Sequence, residues 1–290
     1  MITINGVIAN MLFVFNGLHA FGSLKLRKLI LNIPPFFFLG ALASIALPAM
    51  SEPIFVEDFS SFTGSGFAPN PSDGLLDSNL FRVTGLSDGD GAFAETYIDT
   101  NGDFARGSSS GGVTTGGIYA FDVGNDALAS NTALGIQQTG GDFTPGNISL
   151  RLVNQSFSIV NVLEVLFDLY EWNDQGRSSL LEFEYALVDE TSYNSLLKIT
   201  TTEEADKDVS WQKSIQSVSL QSLNWQPMQA LYFRWSFSDW SGSRSRDELA
   251  IDNIRITEAE AIAEPSMLVI FSFGLLMLVM RSYGSKSPGD

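Results

Sequence analysis

The 290-residue chain has no cysteine and a single histidine, His19. Without cysteine there are no disulfides, no thiolate nucleophile and no Cys-ligated zinc, so an exported domain would be held by its core, or by core and metal ion. Because His19 lies near the start, the body has no imidazole. That removes Ser-His-Asp hydrolysis, His-ligated zinc and His acid–base work. Positive charge is also scarce: 16 Lys/Arg face 33 Asp/Glu, a net charge of −17. Between Glu52 and Ala263 the count is 31 acidic to 11 basic residues, or about −20. Such an excess repels nucleic acid and anionic membrane, favours solubility and attracts divalent cations. No nucleic-acid partner is expected, and paired carboxylates are the chemistry that remains.

What the chain does have is an apolar stretch at each end. Pro265 to Met280 is sixteen residues without a charge. As a helix it would be about 24 Å long, short for a bilayer core of about 30 Å unless flanking residues sit in the interface. Pro265 suits a first helical turn. Glu258, Glu260 and Glu264 precede the run, and Arg281 and Lys286 follow it. The positive-inside rule then puts the tail in the cytoplasm and everything before Glu264 outside. The competing reading is a buried core helix. Near the other end, Lys25, Arg27 and Lys28 precede an apolar stretch from Leu29 to Leu47, closed by Ala49-Met50-Ser51. That is the order of a secretory signal, with a permanent N-terminal anchor as the alternative. Pro34-Pro35 interrupts it, and the uncharged residues 1–24 leave the true start open.

The body reads as strand nearly throughout. Eleven segments are expected: 54–59, 80–85, 117–123, 133–139, 147–154, 162–172, 179–188, 196–202, 211–220, 230–239 and 248–257. Several alternate strictly. Leu181, Phe183 and Tyr185 oppose Glu182 and Glu184, and Leu231, Phe233, Trp235 and Phe237 oppose Tyr232, Arg234 and Ser236. Period two with aromatic and β-branched enrichment is the half-buried strand pattern. Gly, Asn, Asp, Ser and Pro clusters at 64–74, 85–91, 107–117, 139–147 and 172–179 read as turns. The expected fold is all-β, an antiparallel two-sheet β-sandwich (jelly roll), with an N-terminal signal helix and a C-terminal transmembrane helix. The divisions are 1–51 N-terminal extension and signal peptide, 52–257 sandwich, 258–263 acidic linker, 264–286 tail signal with its helix, and 287–290 cytoplasmic end.

The tail "AEPSMLVIFSFGLLMLVMRS" resembles a PEP-CTERM sorting signal. Glu264-Pro265-Ser266 match the end of its Pro-Glu-Pro-type motif, and the apolar run and Arg281 complete the pattern. The resemblance covers about twenty residues and lacks the tight basic cluster of many members. It implies that the chain is the substrate of an exosortase, a membrane-embedded cysteine protease or transpeptidase. Other implied partners are signal peptidase, the export machinery and, transiently, the inner membrane; the destination is the cell surface or extracellular matrix. The body, above all "DELAIDNIRIT" at 247–257, is similar to concanavalin-like and carbohydrate-binding jelly rolls.

Within this frame the candidate residues are few. Glu57 and Asp58 end the first strand, and Asp247, Glu248 and Asp252 flank and enter the last. If those strands pair, the carboxylates repel one another by a few kcal/mol. A structural Ca2+ held by Glu57, Asp58, Asp247 and Asp252 would remove that repulsion. The competing reading ties Asp247 and Asp252 to backbone and to Arg244 or Arg246. "DTNGD" at 99–103 resembles part of a calcium loop without its closing Glu. Trp172, Trp225, Trp240 and Tyr97 lie in or beside polar loops, and Trp172 and Trp240 are candidate platforms for sugar rings. Trp211 and Trp235 read as core. Glu171 with Asp174, or Glu182 with Glu184, could form an acid–base pair, but any acidic β protein supplies such pairs. The expectation is therefore a structural or polysaccharide-binding surface protein with exopolysaccharide as ligand, not an enzyme. A secreted glycosidase-like protein is the alternative.

Overall fold

In the computed structural model, residues 52–99, 102–124 and 130–259 are described, and they hold strands and no α-helix. The expected signal peptide, the residues Glu264, Pro265, Ser266 and Arg281 that resemble a sorting motif, and both expected terminal helices lie outside the described residues. Among the described residues no helix is long and apolar enough to cross a membrane.

Fourteen strands follow in order: β1 (Pro53–Glu57), β2 (Phe62–Ala68), β3 (Gly74–Asp77), β4 (Phe81–Thr84), β5 (Ser108–Ser109), β6 (Gly117–Asp122) and β7 (Thr132–Gln137). Then come β8 (Gly146–Val153), β9 (Leu163–Trp172), β10 (Arg177–Leu187), β11 (Asn194–Thr200), β12 (Gln212–Leu220), β13 (Ala230–Gly242) and β14 (Glu248–Glu258). One sheet has the order β12-β9-β14-β7-β6-β5, with β1 also on β14; the second is β11-β10-β13-β8-β4; β2 and β3 form a small pair. All eleven expected segments are strands. β2, β3 and β5 are additional: β5 and most of β2 fall in stretches read as turns, and β3 starts where one of them ends. The antiparallel expectation is also too simple, because β2–β3 and β5–β6 are parallel.

The two large sheets form a β-sandwich because each offers an apolar face. Leu163, Val165, Phe167 and Leu169 of β9 and Leu249, Ile251, Ile254 and Ile256 of β14 join Leu181 and Phe183 of β10 and Leu231, Phe233, Trp235 and Phe237 of β13 in one buried cluster. Burial of each such large side chain contributes about 1.5–3 kcal/mol. Trp225 belongs to this core as well, 1% exposed, its indole N–H donating to the Gln229 carbonyl. It is thus not the loop platform its polar surroundings suggest.

The other face of the first sheet carries a second apolar cluster: Tyr119, Phe121, Val123, Ala133, Tyr170, Trp211 and Ala250, with Val113 and Trp172 against it. Trp211 is buried as expected, but in this outer layer. Gly135 makes room for it: a Cβ there would lie 1.9 Å from the Phe121 ring.

The last strand pairs with the first, as the jelly-roll pattern anticipates. In β14 the alternation slips between Asp252 and Arg255. Asn253 has φ 50°, a left-handed conformation that Asn tolerates better than most residues. This bulge turns both Ile251 and Ile254 into the core although they are three residues apart. Asn253→Val is expected to destabilise the domain by about 2 kcal/mol or more, and Asn253→Gly, which keeps the backbone but loses the side-chain bonds, by less. Denaturant unfolding measures the difference, and equal stability of the two variants would contradict the account of the bulge.

Candidate functional site

Since Leu181, Phe183, Phe233 and Trp235 face the core, their neighbours stand on the outer face of the second sheet. Cross-strand register arranges these outward residues in two rows. One runs Arg82–Ser149–Arg234–Glu184–Ser195, and the next Thr84–Asn147–Ser236–Glu182–Lys198. Arg151 and Tyr232 pair beside them. Five strands at about 4.8 Å spacing make the face about 19 Å wide.

The side chains form a continuous network. Arg234 Nε donates to Glu184 Oε2 at 2.8 Å, and Ser236 donates to the same oxygen at 2.8 Å. Lys198 pairs with Glu182 at 3.0 Å. Arg82 makes a two-pronged bond to Glu190 at 2.9 and 2.5 Å, and the Tyr193 hydroxyl donates to Glu190 at 2.9 Å. Glu190 and Tyr193 come from the β10–β11 loop, and Phe93 from the segment after β4. The Arg234 guanidinium lies 3.5 Å over the Tyr193 ring. Arg82 and Arg151 lie 5.0 and 4.5 Å over Phe93, whose ring is 6.1 Å from Tyr232. Burial and the Glu190 carboxylate push the Tyr193 hydroxyl well above its ordinary value, so it stays a donor. For Glu182, burial acts upward, but hydrogen bonds from Ser195 and Lys198 and the Lys198 and Arg234 charges outweigh it, and the carboxyl sits below its usual range. Glu182 and Glu184 thus share a face, as the alternation implies, yet each is bound to a cation.

Trp240 is 61% exposed near the end of β13, where a bulge opposite Ser178 and Ser179 breaks the alternation. Trp172 is on the other sheet. It is half-buried, its ring 5.4 Å from Trp211 and pressed on Gly111, where a Cβ would come within 2.7 Å. The two candidate platforms are not brought together. Tyr97 stacks on Phe104 at 4.4 Å and donates its hydroxyl to Glu95. At "DTNGD", Asp103 is buried and accepts from Ser87 and from the Asp88 backbone, so it clasps two loops.

The carboxylates considered for calcium are divided. Glu57 accepts from the Phe59 N–H and Asp58 from the Ser60 N–H, each within its own turn. Asp252, buried, accepts from Asn131 at 2.8 Å and from Asn253, and Asp168 and Asp58 are the acidic charges that bear on it. Asp247 is five residues earlier on the strand path, about 16 Å away. There it accepts from the Gln175 N–H, beside Glu171 and Asp174. Among the described residues no three Asp, Glu or His side chains already stand at metal-ligand spacing.

A cavity of about 340 Å³ lies elsewhere, between Ile54, Phe55, Leu80, Leu152, Val160 and Trp225. Asn154, Gln155, Ser156 and Glu258 also line it, so its walls are mixed in polarity.

The chain is thus a β-sandwich with one polar, aromatic-rimmed sheet face. No family model matches its sequence, and no curated protein matches it. Among solved structures it is similar to the K3 cleaved adhesin domain of Lys-gingipain from Porphyromonas gingivalis, with TM-score 0.38 and 12% identity over 72% of this chain and 100% of that one. It is also similar to the CBM22-1 xylan-binding domain of Paenibacillus barcinonensis Xyn10C, with TM-score 0.37 and 11% identity over 73% and 97%. A family 22 carbohydrate-binding module of Clostridium thermocellum Xyn10B gives TM-score 0.36 and 11% identity over 74% and 99%. Values this low leave function to be argued from the chain's own residues.

One electrostatic consequence can be measured directly. Burial, reinforced by the Asp168 and Asp58 charges, raises Asp252 from 3.8 to about 6 against the hydrogen bonds from Asn131 and Asn253. A carboxyl with a raised folded-state pKa contributes stability below its unfolded pKa and loses it as pH rises through the folded one. Between pH 4 and 6, in chelator, the parent should lose roughly 2–3 kcal/mol that Asp252→Asn does not lose. Parallel stability profiles for the two proteins would contradict this.

Proposed function

We propose that this is an exported surface or matrix protein that binds polysaccharide on the outer face of its five-stranded sheet. One observation carries the reading: two rows of Arg, Glu, Asn, Ser and Lys side chains, flanked by Phe93, Tyr193 and Tyr232. Sugar hydroxyls both donate and accept, and planar Arg and Glu groups meet them with charge-assisted bonds. The apolar C–H faces of sugar rings stack on aromatics. A face five strands wide, with Arg82, Glu182, Glu190 and Arg234 partly exposed above the buried Ser149 and Glu184, suits a run of sugar units rather than a single small molecule, which a closed pocket would hold. Binding fits better than hydrolysis, because Glu182 and Glu184 are each held by a cation, and Lys198 and Arg234 keep the Glu182 carboxyl below its usual range rather than protonated as a general acid requires. Export and exosortase handling rest on the sequence of the two ends.

Glycan-array and affinity-electrophoresis measurements on the full chain test this face. Arg234→Ala and Glu184→Ala are each expected to weaken binding about 10- to 100-fold, and Tyr232→Ala severalfold, with the fold retained by circular dichroism. Trp240→Ala reports whether the exposed indole extends the face. A chain that binds no glycan, or Arg234 and Glu184 variants that bind like the parent, would overturn the reading. For the tail, mass spectrometry of the mature protein should find a new end beside Glu264–Pro265; mature chains that still end at Asp290 would defeat the sorting assignment.

A further inference from the structure

At the end of the first sheet, buried oxygen atoms gather without donors. Asp247 and Glu248 are both 0% exposed. One oxygen of each accepts a backbone N–H, from Gln175 and Val113 respectively. The other oxygen of each, Asp247 Oδ2 and Glu248 Oε2, has no partner, and neither have Glu171 Oε1, Asp174 Oδ1, Gln137 Oε1 and Asn173 Oδ1. Strand register gathers them at the sheet's end but on two faces: Glu248 lies opposite Gln137 and Trp172 on one, while Glu171, opposite Leu249, shares the other with Asp247, whose partner Gln175 adjoins Asp174.

The two amides are oriented by their nitrogens. Gln137 Nε2 donates to the carbonyls of Gln138 and Arg246, and Asn173 Nδ2 to the Glu204 carbonyl and Thr202 Oγ1. Each therefore turns its oxygen, an acceptor only, away from those partners. Of the cations nearest in sequence, Arg246 and Arg177 both bond Asp239, and Arg244 stands exposed at the surface. The acidic charges that bear on Asp247 are Glu171 and Asp174, and those on Glu248 are Asp174 and Asp247. Burial together with these neighbours lifts Asp247 to about 7 and Glu248 to about 8. Buried water could supply hydrogen bonds to such oxygens, but not the missing positive charge.

We propose that this cluster is a divalent-cation site, selective for calcium, with Asp247, Glu248, Asp174 and Glu171 as its carboxylates and Gln137 or Asn173 completing the oxygen shell. The alternation of β14 puts Asp247 and Glu248 on opposite sides of the strand, so the ion sits at the sheet's end, where Asp174 bears on both. To reach the ion the half-buried Glu171 and Asp174 side chains must turn toward it, Glu171 leaving its Thr202 backbone bond, because as they stand no three carboxylates of the described residues lie at ligand spacing. An all-oxygen shell of these five side chains, filled out by water, suits Ca2+. Zinc would want nitrogen or sulfur, and Mg2+ a stricter octahedron that keeps several waters. The site retains only Asp247 of the four residues that the sequence grouped for calcium.

Terbium is the probe, because the Trp172 and Trp211 indoles adjoin the cluster and can sensitise its emission. The full chain, purified in detergent and stripped with EDTA, should show saturable terbium luminescence of one ion per chain, displaced by calcium and far less by magnesium. Millimolar calcium should raise its melting temperature by about 5 °C or more. Asp247→Asn with Glu248→Gln should abolish both effects and melt higher than the parent in EDTA. Asp208→Asn, an exposed change, should alter neither. The parent alone decides the matter if the double variant does not fold. No sensitised emission and no calcium-dependent shift would overturn the proposal, as would full terbium binding by a folded double variant.

Discussion

Phe167 of one sheet meets Phe183 and Trp235 of the other, with ring centroids 5.0 and 5.6 Å apart. Phe183 and Trp235 are themselves 4.9 Å apart across adjacent strands. This aromatic junction fixes which residues of β10 and β13 point inward, and period two does the rest. A slip of one residue would bury Glu182, Glu184 and Arg234 and expose Phe183, Phe233, Trp235 and Phe237, a loss no local bond could offset. The polar grid of the outer face is therefore the other half of the core pattern, positioned by a contact it never touches.

The first sheet is built differently. Both of its faces are covered, one by the second sheet and the other by Tyr119, Phe121, Tyr170 and Trp211. Strands covered on two sides leave their polar residues no water, which is why Asp168, Asp247, Glu248 and Asp252 are all buried there. Their solutions differ. Asp168 takes Lys213 and Asn253, and Asp252 takes Asn131 and Asn253. Asp247 and Glu248 take one backbone N–H each and keep an oxygen over.

Alternation and apolar runs are readable from sequence, which is why eleven of the strands and the opposed sets on β10 and β13 were legible. β2, β3 and β5 were not, because "FTGSGFA", "GLLD" and "SS" are short or glycine-rich and owe their pairing to neighbours rather than to a pattern of their own. Trp225 shows the same limit: polar residues surround it in sequence, yet it fills the sandwich. Half of the candidate face could be read, since Tyr232, Arg234, Ser236, Glu182 and Glu184 lie on alternating strands. Arg82, Arg151, Phe93, Glu190 and Tyr193 could not, because only cross-strand register and two loops bring them in. The acidic cluster was visible only in pieces: Glu171 with Asp174 in one place and Asp247 in another, with nothing in the order of residues to say that β9 and β14 lie side by side.

The two outer faces are separated by the whole core, so whatever each does it does alone. A cation at Asp247 and Glu248 would act on the first sheet and on the segment that donates from Val113, not on Arg234 or Glu184. Its contribution would be to the fold. In a chain with no cysteine and a strongly negative body, that contribution matters: the core must otherwise overcome buried like charge with no covalent staple. A bound ion turns the same carboxylates from repelling neighbours into a clasp between β9, β14 and the cover over Trp172. It does so only where calcium is plentiful, which suits the export proposed for this domain.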